Sequence, residues 1–131
     1  MLTIPESHLE LARRPHGCAI TTIAPSGLPQ TTGMWFLYTD DTIKFSLLSH
    51  RKKFHNLKAN PACTFFLMDP KSMSNTIEVR GNATLEPDPG KKFVTRVRAH
   101  YGAEGPPKDG PNDDRYVVTI EASTINILGR G

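Results

Sequence analysis

The chain has 131 residues, 37% of them hydrophobic, and a net charge of +3 from 16 Lys+Arg against 13 Asp+Glu. That length fits a single domain over residues 1–131, able to bury roughly two thirds of the surface its unfolded form exposes without help from a disulfide or metal. So mild a charge argues against nucleic acid as a partner, no apolar run approaches the ~20 residues of a membrane helix, and Met1–Arg14 lacks the apolar stretch of a signal peptide. A cytoplasmic protein without membrane contact is expected.

Pro5–Arg14 opens as a short helix with proline near its first position, and Pro15 stops it. Gly17–Ile23, rich in Ile, Thr and Ala, reads as a strand. Ala24–Pro29 carries turn chemistry, with Gly27 free to take positive φ. Gln30–Thr39 is a second strand, Thr39–Thr42 a tight turn and Ile43–Leu47 a third strand; turns this short require antiparallel pairing. A helix is expected from about Ser49 to Ala59, closed by Asn60 and Pro61, with Phe54 and Leu57 turned to the core. Ala62–Met68 is almost continuously apolar and reads as a central fourth strand. Asp69–Asn75 is expected as a loop, and Thr76–Leu85 as a fifth strand with a bulge at Gly81. Asp88–Lys91 caps a further helix running to about Tyr101, with Phe93, Val94 and Val97 on its apolar side. A loop rich in Pro, Gly and Asp follows over Gly102–Asp114; Arg115–Glu121 is the last strong strand, which Ser123–Leu128 extends or re-pairs.

Cys18 and Cys63 sit in the apolar runs without metal-ligand spacing and read as buried, reduced thiols, with a disulfide between them the less favoured alternative. The five histidines also lack metal spacing. The total is six or seven antiparallel strands with two or three short helices, a mainly β domain. Closure of such a sheet into a barrel removes exposed edges; an open α+β sheet is the competing architecture.

Lys44–Lys58 holds five of the sixteen Lys/Arg and no acidic residue. Its Arg51, Lys52 and Lys53 fall where a helix begins, although the free N–H groups there already carry positive partial charge. A phosphate would offset that repulsion, with Ser46 and Ser49 adding hydroxyls beside Arg51 and Lys53. The alternative is a solvated basic face with Ser49 as an ordinary N-cap. Neither G-x-x-x-x-G-K-[ST] nor G-x-G-x-x-G is present, so nucleotide hydrolysis has no support. Trp35, the single tryptophan, lies between Met34 and Phe36 on the strand expected to pair with Ile43–Leu47; it is either core or a platform for a flat ligand.

Four pieces in order now carry a resemblance: Ser26-Gly-x-Pro-Gln30, Met34-Trp-Phe36, Phe45-Ser-x(4)-Arg-x-Lys-x-x-Asn-Leu-x-x-Asn-Pro61 and Glu78-Val-Arg-Gly-x-Ala83. Over roughly Gly17–Tyr101 the chain resembles the pyridoxamine 5′-phosphate oxidase-like split β-barrels with an FMN-binding-like fold. It is most similar to their branch of oxidoreductases using the deazaflavin coenzyme F420. The resemblance implies a homodimer with the cofactor at the subunit interface, and hydride transfer between the deazaflavin and a small unsaturated or oxidised organic substrate. It further implies that Ser46, Leu47, Arg51 and Lys53 surround the phosphate, and that the ring lies along Thr32, Met34 and Trp35. The sequence departs from the pattern twice. Gly33-Met34 replaces a frequent Pro-Val, and Leu47 a frequent Thr, which removes one hydroxyl.

Two implied readings compete with F420 chemistry: an FMN-dependent pyridoxamine-phosphate-oxidase-like protein, and a non-catalytic split barrel that only holds a flavin or deazaflavin. A third reading, single-stranded nucleic acid stacked on Phe36, Tyr38, Phe65 and Phe66, conflicts with charge confined to one helix. Hydride chemistry belongs to the cofactor, which suits a sequence without an obvious acid/base pair.

Overall fold

The computed structural model describes residues 2–131. Seven strands form one antiparallel sheet in the order β2-β1-β5-β6-β7-β4-β3, curled into a half-barrel. They are β1 (Cys18–Ile23), β2 (Pro29–Met34), β3 (Leu37–Thr39), β4 (Thr42–Leu48), β5 (Ala62–Asp69), β6 (Ser72–Pro87) and β7 (Arg115–Leu128). Three short helices accompany them: α1 (Leu9–Arg13), α2 (Lys52–Ala59) and α3 (Lys92–His100).

Alternation along the strands builds the core. Ile43, Phe45 and Leu47 of β4 point inward, as do Ile20 of β1, Phe65 and Leu67 of β5, and Ile77 of β6. α2 adds Phe54 and Leu57, and its Asn56 amide donates to Thr22 Oγ1 at 3.1 Å and Gln30 Oε1 at 2.8 Å, holding the helix against β1 and β2. Asn56 is thus a satisfied buried polar group. Both cysteines are free and buried, and desolvation pushes their thiols up, to about 12 for Cys18 and about 11 for Cys63. Among the described residues no helix is long and apolar enough to cross a membrane.

Gly81 sits at the expected bulge. The β6–β7 register shifts between Arg80 and Gly81, and a Cβ at Gly81 would stand 2.0 Å from the Glu121 carbonyl oxygen. Only glycine admits so close a backbone approach. Asp88 caps α3 across a 3-10 turn, accepting from the Phe93 and Val94 amides at 2.9 and 3.0 Å. The tight β3–β4 turn uses Asp40 and Asp41, both at positive φ.

Three expectations are corrected. Residues 30–39 are two strands, because β2 pairs with β1 while β3 pairs with β4. Trp35 and Phe36 are the corner between them, so Trp35 does not lie on a strand pairing with β4. This two-residue corner joins the two edge strands, which brings both edges of the sheet together at one point. Ser49 does not cap α2: its amide donates to the Asp114 carbonyl, and Arg51 takes the N-cap position without a side-chain cap bond. Asp69–Asn75 is not a loop; β6 already begins at Ser72, and Asn75 is buried and donates to Asp69 Oδ2 at 3.1 Å. β5 is internal to the sheet, as its apolar run predicts; one of its faces is buried and the other leaves Phe66 and Met68 exposed.

Candidate functional site

The corner is built from one distant residue. The Tyr101 ring stacks on Trp35 with centroids 4.6 Å apart and planes 6° from parallel. Its hydroxyl accepts the Phe36 amide at 3.1 Å and donates to the His16 carbonyl at 2.7 Å. The two edge strands leave that amide without a ladder partner, so the tyrosine completes the backbone bonding where the sheet splits. Burial raises the Tyr101 hydroxyl to about 12, which keeps it protonated and able to donate. Trp35 remains 45% exposed, so much of its indole is open to a flat partner.

Beside this corner lies a pocket of about 220 Å³. Met34, Trp35, Val94, Val97 and Pro107 form its apolar walls; Ser46, Arg98 and Arg115 are its polar ones. α3 covers the face of β4 and β7 opposite the core, which is why Ser46 looks out into the pocket while its neighbour Leu47 is 2% exposed in the core. The Arg115 guanidinium meets Asp109 in a fork, Nε to Oδ2 at 2.8 Å and Nη2 to Oδ1 at 2.9 Å, and its Nη1 reaches Ser46 Oγ at 3.3 Å. Lys91 Nζ also lies 3.1 Å from Asp109. The Arg115 bonds, with smaller help from Lys91, hold the Asp109 carboxyl down to about 2. Arg98 donates to the Gly105 and Glu104 carbonyls and meets no carboxylate.

The second feature is the start of α2. Its first turn holds no acidic residue, its N-cap makes no side-chain bond, and Arg51, Lys52 and Lys53 have no carboxylate partner among the described residues. Lys53 is half-buried; desolvation, with the nearby Arg51 charge, lowers its pKa. Free helix amides and unpaired cations at one point form an arrangement that an anion fits. On the face of β2 that carries Gln30 towards α2, Thr32 comes next and then Met34; Thr32 Oγ1 is buried without a partner.

The expected residues therefore fall into two groups. Met34, Trp35 and Ser46 share the pocket under α3; Arg51 and Lys53 share the end of α2; Thr32 lies on the β2 face that leads between them, and Leu47 presents only its backbone. Tyr101, Arg98, Arg115 and Asp109 escaped the sequence reading, because nothing local to residues 98–115 marks them as partners of residues 34–46. His50 is exposed and lies 3.3 Å from Asp113, and Arg80 pairs with Glu78 at 3.2 Å on the surface. Met73 is exposed. A separate apolar groove of about 260 Å³, walled by Ile4, Tyr38, Val79, Ile120 and Ile125, has Asp41 and Glu121 at its rim and no cation, so it does not suit a phosphate.

The family model of pyridoxamine 5′-phosphate oxidase matches residues 4–129. The chain belongs to the pyridoxamine 5′-phosphate oxidase family. Among solved structures, this family member is similar to one named F420 reductase, with 30% identity, a TM-score of 0.83, and coverage of 94% of this chain and 98% of the other. A conserved hypothetical protein from Mycobacterium tuberculosis shares 22% identity at TM-score 0.75, covering 98% and 87% of the two chains. General stress protein 26 from Bacillus anthracis shares 19% at TM-score 0.72, covering 96% and 94%; these two likenesses show the fold alone. No curated protein matches the chain in sequence.

Proposed function

We propose that this oxidase-family protein binds coenzyme F420 and transfers a hydride between the deazaflavin and a small unsaturated or oxidised organic substrate. The observation that carries the reading is the uncapped, acid-free start of α2, where Arg51 and Lys53 stand unpaired; similarity to the structure named F420 reductase supports it. Arg51 and Lys53 hold the phosphate, with the Leu47 backbone at the end of β4 beside them, while Ser46, expected there too, turns its hydroxyl to Arg115 in the pocket under α3. Thr32, Met34 and Trp35 flank the ring. When bound, the cofactor supplies the hydride chemistry, and the chain's own task is to bind, orient and exclude water. Lys52 and Lys58 extend positive charge along α2 for an acidic tail; Arg80, paired with Glu78, does not. A second copy covers the sheet face exposing Phe66 and Met68, and the setting is the cytoplasm, in keeping with two free thiols.

Titration of the purified protein with F420 and FMN side by side tests this. F420 should bind more tightly, and Lys53→Ala should weaken it by about 1.5–3 kcal/mol, the range for a lost charged hydrogen bond. The melting temperature should hold or rise slightly, since the variant removes a desolvated cation from a first helical turn. Preferential FMN binding with oxidase turnover on pyridoxamine 5′-phosphate would replace the F420 reading with the flavin one. Tight F420 binding without turnover on any acceptor would leave only a cofactor-holding barrel.

A further inference from the structure

The pocket under α3 has a charge pattern that cofactor binding at α2 does not use. Its lining holds two guanidinium groups and no carboxylate. Asp109 lies behind one of them and balances only half of the charge brought to it, because Arg115 and Lys91 both converge on its single carboxylate. Arg98 is held by the Glu104 and Gly105 carbonyls alone, so its full charge is uncompensated. Both guanidinium groups are fixed in place by these bonds, and Arg115 keeps its Nη1 turned to the pocket beside the Ser46 hydroxyl at 3.3 Å. Fixed donors next to apolar walls of Val94, Val97, Pro107 and Trp35 select a molecule that is anionic at one end and apolar at the other.

We infer that this pocket takes the carboxylate end of an amphipathic organic acid, read by Arg115, Ser46 and Arg98, and that the acid is the substrate class. The volume of about 220 Å³ is below the range of drug-sized sites, so the acid is small or enters by one end only. Trp35 joins the two sites, bordering the pocket and the proposed ring position, so an acid seated here lies next to the deazaflavin. The assignment of the acid as substrate rests on the F420 reading; the binding of the acid does not.

That separation sets the experiment. Trp35 is the single tryptophan and lines the pocket, so its fluorescence reports occupancy in the protein without any cofactor. 3-Phenylpropionate is the probe and 3-phenylpropionamide its uncharged twin. The acid should quench saturably and bind at least about tenfold more tightly than the amide. Arg98→Gln should weaken the acid by about tenfold and leave the amide unchanged. Arg115→Lys should weaken it as well, since an ammonium keeps charge but loses the fork. Arg98→Gln guards against misfolding, because that side chain bonds only to an exposed loop. Equal binding of acid and amide, or an Arg98→Gln protein that binds the acid as the parent does, would overturn the inference. So would F420 displacing the acid competitively while losing as much affinity as the acid does in the Arg115→Lys protein, for the pocket would then hold the cofactor's phosphate. Failure of F420 to bind at all would sink the cofactor reading and leave the acid titration standing.

Discussion

Asp109 shows how much one side chain in an irregular segment can decide. Its carboxylate joins the start of α3, through Lys91, to the start of β7, through Arg115, and so ties down the segment whose Pro107 walls the pocket. The bonds from Arg115, then Lys91, depress its folded pKa to about 2, below the ordinary 3.8. A depressed acid stabilises the fold fully above its unfolded pKa, and loses that contribution as pH falls through the folded value. The window is therefore pH 4 down to 2. Asp109→Asn should lower stability at neutral pH by about 1 kcal/mol, the scale of a screened ion pair, and flatten the dependence across that window. Urea unfolding of both proteins at pH 6 and pH 3 measures this; parallel losses on acidification would assign the acid sensitivity to other carboxylates.

At the scale of elements, the β6–β7 ladder is the spine, and its one irregularity is the bulge. Twelve register pairs join these strands, with Ser123 left over where Gly81 pairs with Ala122 and Arg80 with Thr124. The extra residue bends both strands and helps the sheet to curl. Gly81→Ala forces a methyl group onto the Glu121 carbonyl, and neither backbone can retreat, since β6 is bonded to β5 as well. Overpacking of this kind costs about 1–3 kcal/mol, and a value near the upper end is expected here. Thermal denaturation reads the loss directly; a melt equal to the parent's would mean that the bulge yields freely. α2 and α3 divide the remaining work: α2 packs into the core beside β1, while α3 covers the opposite face of β4 and β7.

For the whole molecule, the half-barrel leaves one sheet face open. Phe66 and Met68 are 40% and 44% exposed, and register sets Phe66 beside Ala19 and Glu78. Apolar side chains on that face suit a symmetric contact with a second copy. Light scattering at micromolar concentration should give about twice the chain mass of 14.5 kDa. Phe66→Lys should shift the protein to monomer and weaken F420 with it, because the proposed site draws on both subunits. A parent protein that is monomeric and still binds F420 tightly would refute the shared site.

Features that depend on short range were legible in the residues alone. Periodicity and turn residues located most strands and all three helices, the Gly81 bulge was legible from a lone glycine inside an alternating strand pattern, and the acid-free Lys44–Lys58 segment marked the start of α2. Residue order alone was enough for the family. Folding in three dimensions was needed to show where neighbours in sequence part company. Residues 30–39 looked like one strand because their β propensity is continuous, and nothing local records that the chain changes partner at Trp35. Ser46 and Leu47 looked like one binding unit, but a strand sends adjacent side chains to opposite faces, and α3 covers only one of them. Tyr101, Arg98, Arg115 and Asp109 became site residues through contacts with the corner, the pocket and one another. Such contacts are properties of packing, and packing is set by the whole sheet at once.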